Sequence, residues 1–141
     1  MDSPRARLGF FKLNVPEMEP ALAFWREAFG FAVTQSFDEP DFVEHMMALP
    51  GQETGPHLLL VSWKDGRDVG VGPGHGPVGL ICDDIKASHA RALACGAHAL
   101  TGLFEAAGVR IAMLEAPQGH EIELIQLPGQ ANSSAKTEIV R

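Results

Sequence analysis

Between Leu8 and Val15 the chain reads LGFFKLNV, an alternation of large apolar and polar positions that predicts a strand. Phe11, Leu13 and Val15 fall on one side of it, and Phe10, Lys12 and Asn14 on the other. After Pro16 the period changes. Leu22, Trp25 and Phe29 recur at i, i+3 and i+7, which predicts a helix over 21–29 with Pro20 in its first turn and Gly30 as its stop. Three segments then return to strand character: 31–37, 42–49 and 57–63. Asp38-Glu39-Pro40 and Pro50-Gly51 supply turns between them. The order so far is strand, helix, strand, strand, strand.

Residues 64–76 have no apolar period. They hold five glycines with Pro73 and read as a connector. Beyond it the order begins again. PVGLIC (77–82) predicts a strand. Asp83 or Asp84 can cap a helix whose apolar face is Ile85, Ala92 and Leu93 and whose stop is Gly96. A weak strand follows over 97–101 and a firmer one over 109–114. Pro117-Gln118-Gly119 turns the chain into the alternating EIELIQL of 121–127. Anchors of the two halves recur in the same order. Val15-Pro16-Glu17-Met18 matches Cys82-Asp83-Asp84-Ile85 at an offset of 67, Gly30 matches Gly96 at 66, Pro50 matches Pro117 at 67, and His57 matches His120 at 63. The expected layout is a mobile start over 1–7, a first unit over 8–63, the connector over 64–76, a second unit over 77–127 and a mobile tail over 128–141.

Composition narrows the function classes. Of 141 residues 45% are hydrophobic and 21% charged, enough apolar material for a core. Eleven basic against eighteen acidic residues leave a net charge of −7. That balance speaks against nucleic acid and against anionic membrane surfaces as partners, since both need clustered Lys and Arg. No apolar run approaches the ~20 residues of a membrane span. Met1–Arg7 lacks the apolar stretch of a secretion signal. Cys82 and Cys95 form no CxxC pair, so the expected compartment is the reducing cytoplasm.

FFKLNVPEMEPALAFWREAFGF (10–31) resembles the opening strand and helix of the vicinal oxygen chelate superfamily, which includes glyoxalase I, bleomycin-resistance proteins and extradiol dioxygenases. GPVGLICDDIKASHARALACGA (76–97) resembles the matching element of that superfamily's second module, and APQGHEIELIQL (116–127) its closing strand. The resemblance implies an α+β fold of two tandem βαβββ modules with curved mixed sheets forming a cleft and helices outside. It also implies a homodimer. The superfamily's metal ligands, usually His or Gln, Glu, His and Glu on the first, fourth, fifth and eighth strands, fall by this matching on Phe10, Leu60, Pro77 and Glu123. Only Glu123 has a donor side chain, so no metal and no other cofactor is expected. A substitute site for a divalent metal would need Glu123 with His75 or His45.

The candidate site is therefore a partly apolar one, with Phe10, Leu60, Pro77 and Gly79 as its lining. Lys12, Asn14, Ser62, Glu121 and Glu123 are its polar groups. Two readings follow. One is a metal-independent protein binding a small, partly apolar molecule, as bleomycin-resistance proteins do. The other is a glyoxalase-like lyase or isomerase in which Glu123 moves a proton. An apolar surrounding without a partner would raise the Glu123 pKa and suit it to that work. A Lys12–Glu123 ion pair would instead make it structural. By alternation His57 is expected on the face opposite Leu58, Leu60 and Ser62, and Cys82 on the helix side.

Overall fold

The computed structural model describes residues 4–129. The elements run β1 (Phe10–Asn14), α1 (Met18–Phe29), β2 (Ala32–Asp38), β3 (Phe42–Ala48) and β4 (His57–Trp63). They continue with β5 (Val78–Ile81), α2 (Ile85–Ala94), β6 (His98–Ala99), β7 (Phe104–Ala106), β8 (Val109–Glu115) and β9 (Glu121–Gln126). The chain separates into two compact units that divide at residues 69 and 70, within the glycine-rich stretch; the last turn of α1, Glu27–Phe29, groups with the second. Residues 4–7 and 128–129 lie in no helix or strand, and the rest of the two expected mobile ends lies outside the described residues. Among the described residues no helix is long and apolar enough to cross a membrane.

In the first unit the strands are ordered β1-β4-β3-β2. β1 runs parallel to β4, and the other pairings are antiparallel. α1 begins at Met18, three residues earlier than its apolar spacing predicts. Pro20 is accommodated because a proline in the first turn lacks only an N–H that would have no helical acceptor. The helix buries Ala21, Leu22, Phe24, Trp25 and Ala28. Trp25 meets Phe24 and Phe31 edge-on, with ring centroids 5.3 and 5.9 Å apart. Gly30 ends the helix in the left-handed region at φ 86°, with its N–H on the Arg26 carbonyl at 2.8 Å.

The second unit repeats this plan with one addition. Its order is β5-β9-β8-β6, with β7 also paired to β8. β7 is absent from the sequence expectation because all three of its residues are exposed, so no alternation marks it. α2 lies against β8 and β9. The face it covers carries Leu114, Ile122 and Leu124, all fully buried. Of the two candidate caps Asp84 is the one used, its carboxylate accepting from the Ala87 N–H at 3.1 Å. A second cap comes from the sheet. The buried Gln126 amide oxygen accepts the Ile85 N–H at 2.8 Å, satisfying a helix-start donor that no backbone group reaches.

Gln126→Leu leaves that buried N–H unpaired and is expected to lower stability by about 1–3 kcal/mol, read as a shift in the urea midpoint. Gln126→Glu keeps an acceptor oxygen in place and should cost less.

Candidate functional site

Strand register decides which side chains share a face. In the first unit Phe10 stands beside His57, Lys12 beside Leu59 and Asn14 beside Val61. Across β3, Met46 pairs with Leu59, Glu44 with Val61 and Phe42 with Trp63. Phe10, Lys12, Asn14, Phe42, Glu44 and Trp63 therefore stand on one face, with His57 and Leu59. Leu60 and Ser62 do not. Leu60 pairs with Leu13 and is fully buried on the opposite face, with Leu58 and Met47. The expected grouping of Leu60 and Ser62 with Phe10 is corrected by this pairing, whereas His57 does lie opposite them.

This face has a specific polar arrangement. Lys12 Nζ lies 2.7 Å from Glu44 Oε2, with the lysine side chain 46% exposed and the glutamate 9%. The contact is one of charge, since its direction is not that of a hydrogen bond. Lys12 also stands 5.6 Å from the centroid of the Phe10 ring, and Phe10 is itself 53% exposed. Trp63 donates its indole N–H to Asn14 Oδ1 at 2.8 Å and meets the Phe42 ring at 5.4 Å. Just past β4, the Arg67 guanidinium lies over Trp63 at 3.9 Å. Asp65 holds it there through Nε and Nη2 at 2.7–3.1 Å. Those same hydrogen bonds hold the Asp65 carboxyl below its ordinary range.

Lys12 thus has a partner that sequence reasoning did not assign. Glu44 lies inside a largely apolar strand, FVEHMMA, where alternation alone names no partner for it. The available signal was a carboxylate two residues from apolar Phe42 and Met46 on either side, which places a charge on a partly buried face and requires a cation opposite. Lys12 is thus paired with Glu44, within its own unit.

In the second unit Glu123 stands between Gly79 on β5 and Met113 on β8, and is half-buried. An added Cβ at Gly79 would meet nothing within 4 Å, so the space beside Glu123 is open. Glu121 shares this face, is exposed, and pairs across to Glu115. Pro77 precedes β5 and is half-buried. Cys82 is buried on the α2 side, where burial pushes its thiol pKa up.

The two units can be superposed residue by residue through one shared hydrogen bond. Val15 N–H donates to the Val61 carbonyl at 2.8 Å, and Cys82 N–H to the Ile125 carbonyl at 2.7 Å. The offset is 67 on the outer strand and 64 on the inner one. The first-unit counterpart of Glu123 is therefore Leu59, one residue before the Leu60 that the offset of 63 suggested. Leu59, like Leu60, has no side-chain donor atom. Phe10, Leu59 and Pro77 have no donor atoms, and among the described residues no three His, Cys, Asp or Glu side chains gather to hold an ion. His45, one of the substitute ligands, instead bonds through Nδ1 to Ser36 Oγ at 2.7 Å. These residues do not fit a metal.

A family model described as the Glyoxalase/Bleomycin resistance protein/Dioxygenase superfamily matches residues 7–124. Among solved structures, the chain is similar to the trypanothione-dependent glyoxalase I of Leishmania major, with a TM-score of 0.74 and 17% identity, covering 96% of this chain and 93% of that one. It is also similar to TnmS3, an antibiotic binding protein from Streptomyces sp. CB03234, with a TM-score of 0.68 and 25% identity, covering 89% and 99%. A glyoxalase/bleomycin resistance protein/dioxygenase domain from Frankia sp. EAN1pec gives a TM-score of 0.74 at 14% identity, covering 90% and 95%. No curated protein matches.

Two outcomes follow from the geometry. Lys12→Met strands the Glu44 charge in a nearly dry position and should cost about 1–2 kcal/mol, below the range for fully buried pairs because the lysine is half exposed. Lys12→Met with Glu44→Leu should recover most of that loss, as a double-mutant cycle of urea midpoints would show. At neutral pH iodoacetamide should modify half-buried Cys95 before Cys82, read by peptide mass.

Proposed function

The chain belongs to the Glyoxalase/Bleomycin resistance protein/Dioxygenase superfamily, and on that premise we propose that it binds a small, partly apolar molecule without a metal ion. The observation that carries this reading is the face of the first sheet. Aromatic rings of Phe10, Phe42 and Trp63 stand there with a few fixed polar groups, Lys12, Glu44 and Asn14. Small-molecule sites have this make-up, mostly apolar with a small number of placed polar atoms. The four positions that hold the metal in related proteins offer a single carboxylate. The likeness to an antibiotic binding protein supports a small organic molecule, such as an antibiotic, as the ligand class. We place the protein in the cytoplasm as a homodimer, and light scattering would measure the second point.

One observation favours a second reading, a lyase or isomerase acting through Glu123. Gly79 leaves open space beside that carboxylate, so a substrate C–H could approach it. Under this reading Glu123→Gln would abolish turnover of an aldehyde–thiol adduct while leaving its binding intact.

The binding reading is tested by a thermal-shift panel of flat aromatic compounds, including antibiotics, with and without EDTA. At least one compound is expected to raise the midpoint by mass action, equally in both conditions. Phe10→Ser should abolish the shift while changing stability of the free protein by no more than about 0.5 kcal/mol, since the ring is exposed. A shift that appears only with added metal would overturn the proposal.

A further inference from the structure

We propose that the molecule held on the first sheet's face is an aromatic acid, a flat ring system bearing an anionic oxygen that Lys12 binds. This assignment rests on the reading that the face takes a small molecule, and it names the class.

The first observation is which charges a ligand can reach. Glu44 is 7% exposed, whereas the Lys12 side chain is 46% exposed and that of Arg67 49%. The carboxylate that neutralises Lys12 is thus below the surface and its ammonium is at it. Asp65 is exposed, but both its oxygens are turned to the Arg67 guanidinium. On a chain of net charge −7, the groups this face offers to a ligand are cationic.

The second observation is the inventory of donors. An ammonium has three N–H groups and a guanidinium five. Lys12 turns toward one acceptor, Glu44, and Arg67 toward one carboxylate. Hydrogen-bond capacity therefore remains on donors, and a ligand complements it with acceptor oxygen. Glu44 adds precision, because an ammonium held at one corner is already ordered and loses less freedom on binding.

The third observation is that both cations lie beside aromatic rings, Lys12 by Phe10 and Arg67 on Trp63. Rings of a ligand can rest on the outer side of the Arg67 plane while its anion meets Lys12. The Lys12 ammonium is held at Glu44, which is level with Val61, two residues before Trp63 on β4. At a rise of about 3.3 Å per residue the two anchors are about 7 Å apart along the strand. A ligand of two or three fused rings with a carboxylate at one end spans them.

A cationic ligand fits less well. It would have to expel Lys12 to reach Glu44, placing its charge in a position from which water is largely excluded.

The test uses three probes that share a ring system and differ in charge: anthracene-2-carboxylic acid, its carboxamide and 2-(aminomethyl)anthracene. Binding is measured by calorimetry at low and at physiological ionic strength. The acid should bind about tenfold more tightly than the amide or the amine, the margin of one charge-assisted hydrogen bond. That margin should narrow with salt. Lys12→Met with Glu44→Leu, chosen so that no buried charge is stranded, should bring the acid down to the affinity of the amide. Lys12→Arg should keep the preference. Equal or tighter binding of the amide or amine overturns the assignment, as does an acid affinity that the double variant leaves intact, or no binding of the acid. None of these outcomes touches the broader reading, which stands or falls with the panel and the Phe10→Ser variant.

Discussion

Two parallel strand pairs, β1 with β4 and β5 with β9, decide what each sheet presents. Side chains alternate along a strand, so a slip of one residue in either pair would exchange its two faces. Each pair is closed by the same bond, from the residue that follows the outer strand to a carbonyl of the inner one. With that register fixed, Leu60 and Leu124 go to one side and Leu59 and Glu123 to the other. The chemistry of both faces depends on this single choice.

On the first face the choice gathers aromatic rings around one ion pair. Glu44 is nearly dry, so it needs Lys12, and Lys12 is in turn held at a defined point of the surface. The pair therefore contributes position more than stability. Trp63 is fixed in the same manner, by Asn14 at its edge and Arg67 on its plane. Both fixed groups remain partly exposed. The second face lacks this construction. Its counterpart to Lys12 is Gly79 and its counterpart to Glu44 is Ile111, so Glu123 has open space beside it.

Much of the fold was legible in the sequence because periodicity reports burial. β4 was read to its exact ends, since His57–Trp63 is bounded by turn residues and filled by apolar ones. The duplicated plan was visible in anchors that recur at nearly constant offset. What escaped had physical causes. β7 is exposed along its length and has no pattern to read. The cap from Gln126 to Ile85 joins residues 41 apart, a distance no local rule spans. His57 and His120 are alike in type but not in place, so matching them sets the inner-strand offset one short. That one residue carries Leu60 and Ser62 to the wrong face. Ser62 in fact occupies the position at which the second unit carries Gln126. Glu44 finds its cation two strands away, and alternation along one strand does not report such a pair.

The pairing of Gly79 with Glu123, set against that of Lys12 with Leu59, bears on how such a chain can change over time. A metal centre is an all-or-none inheritance, since its affinity collapses when ligands are lost and several must be kept together. A surface that recognises its ligand by contact is under no such obligation. Each position adds its own increment and can be exchanged singly, so two copies of one module are free to become different. One copy here placed its charge on the outer strand, and the other on the inner. Robustness to single substitutions follows for any face built of separate contacts, whatever it meets.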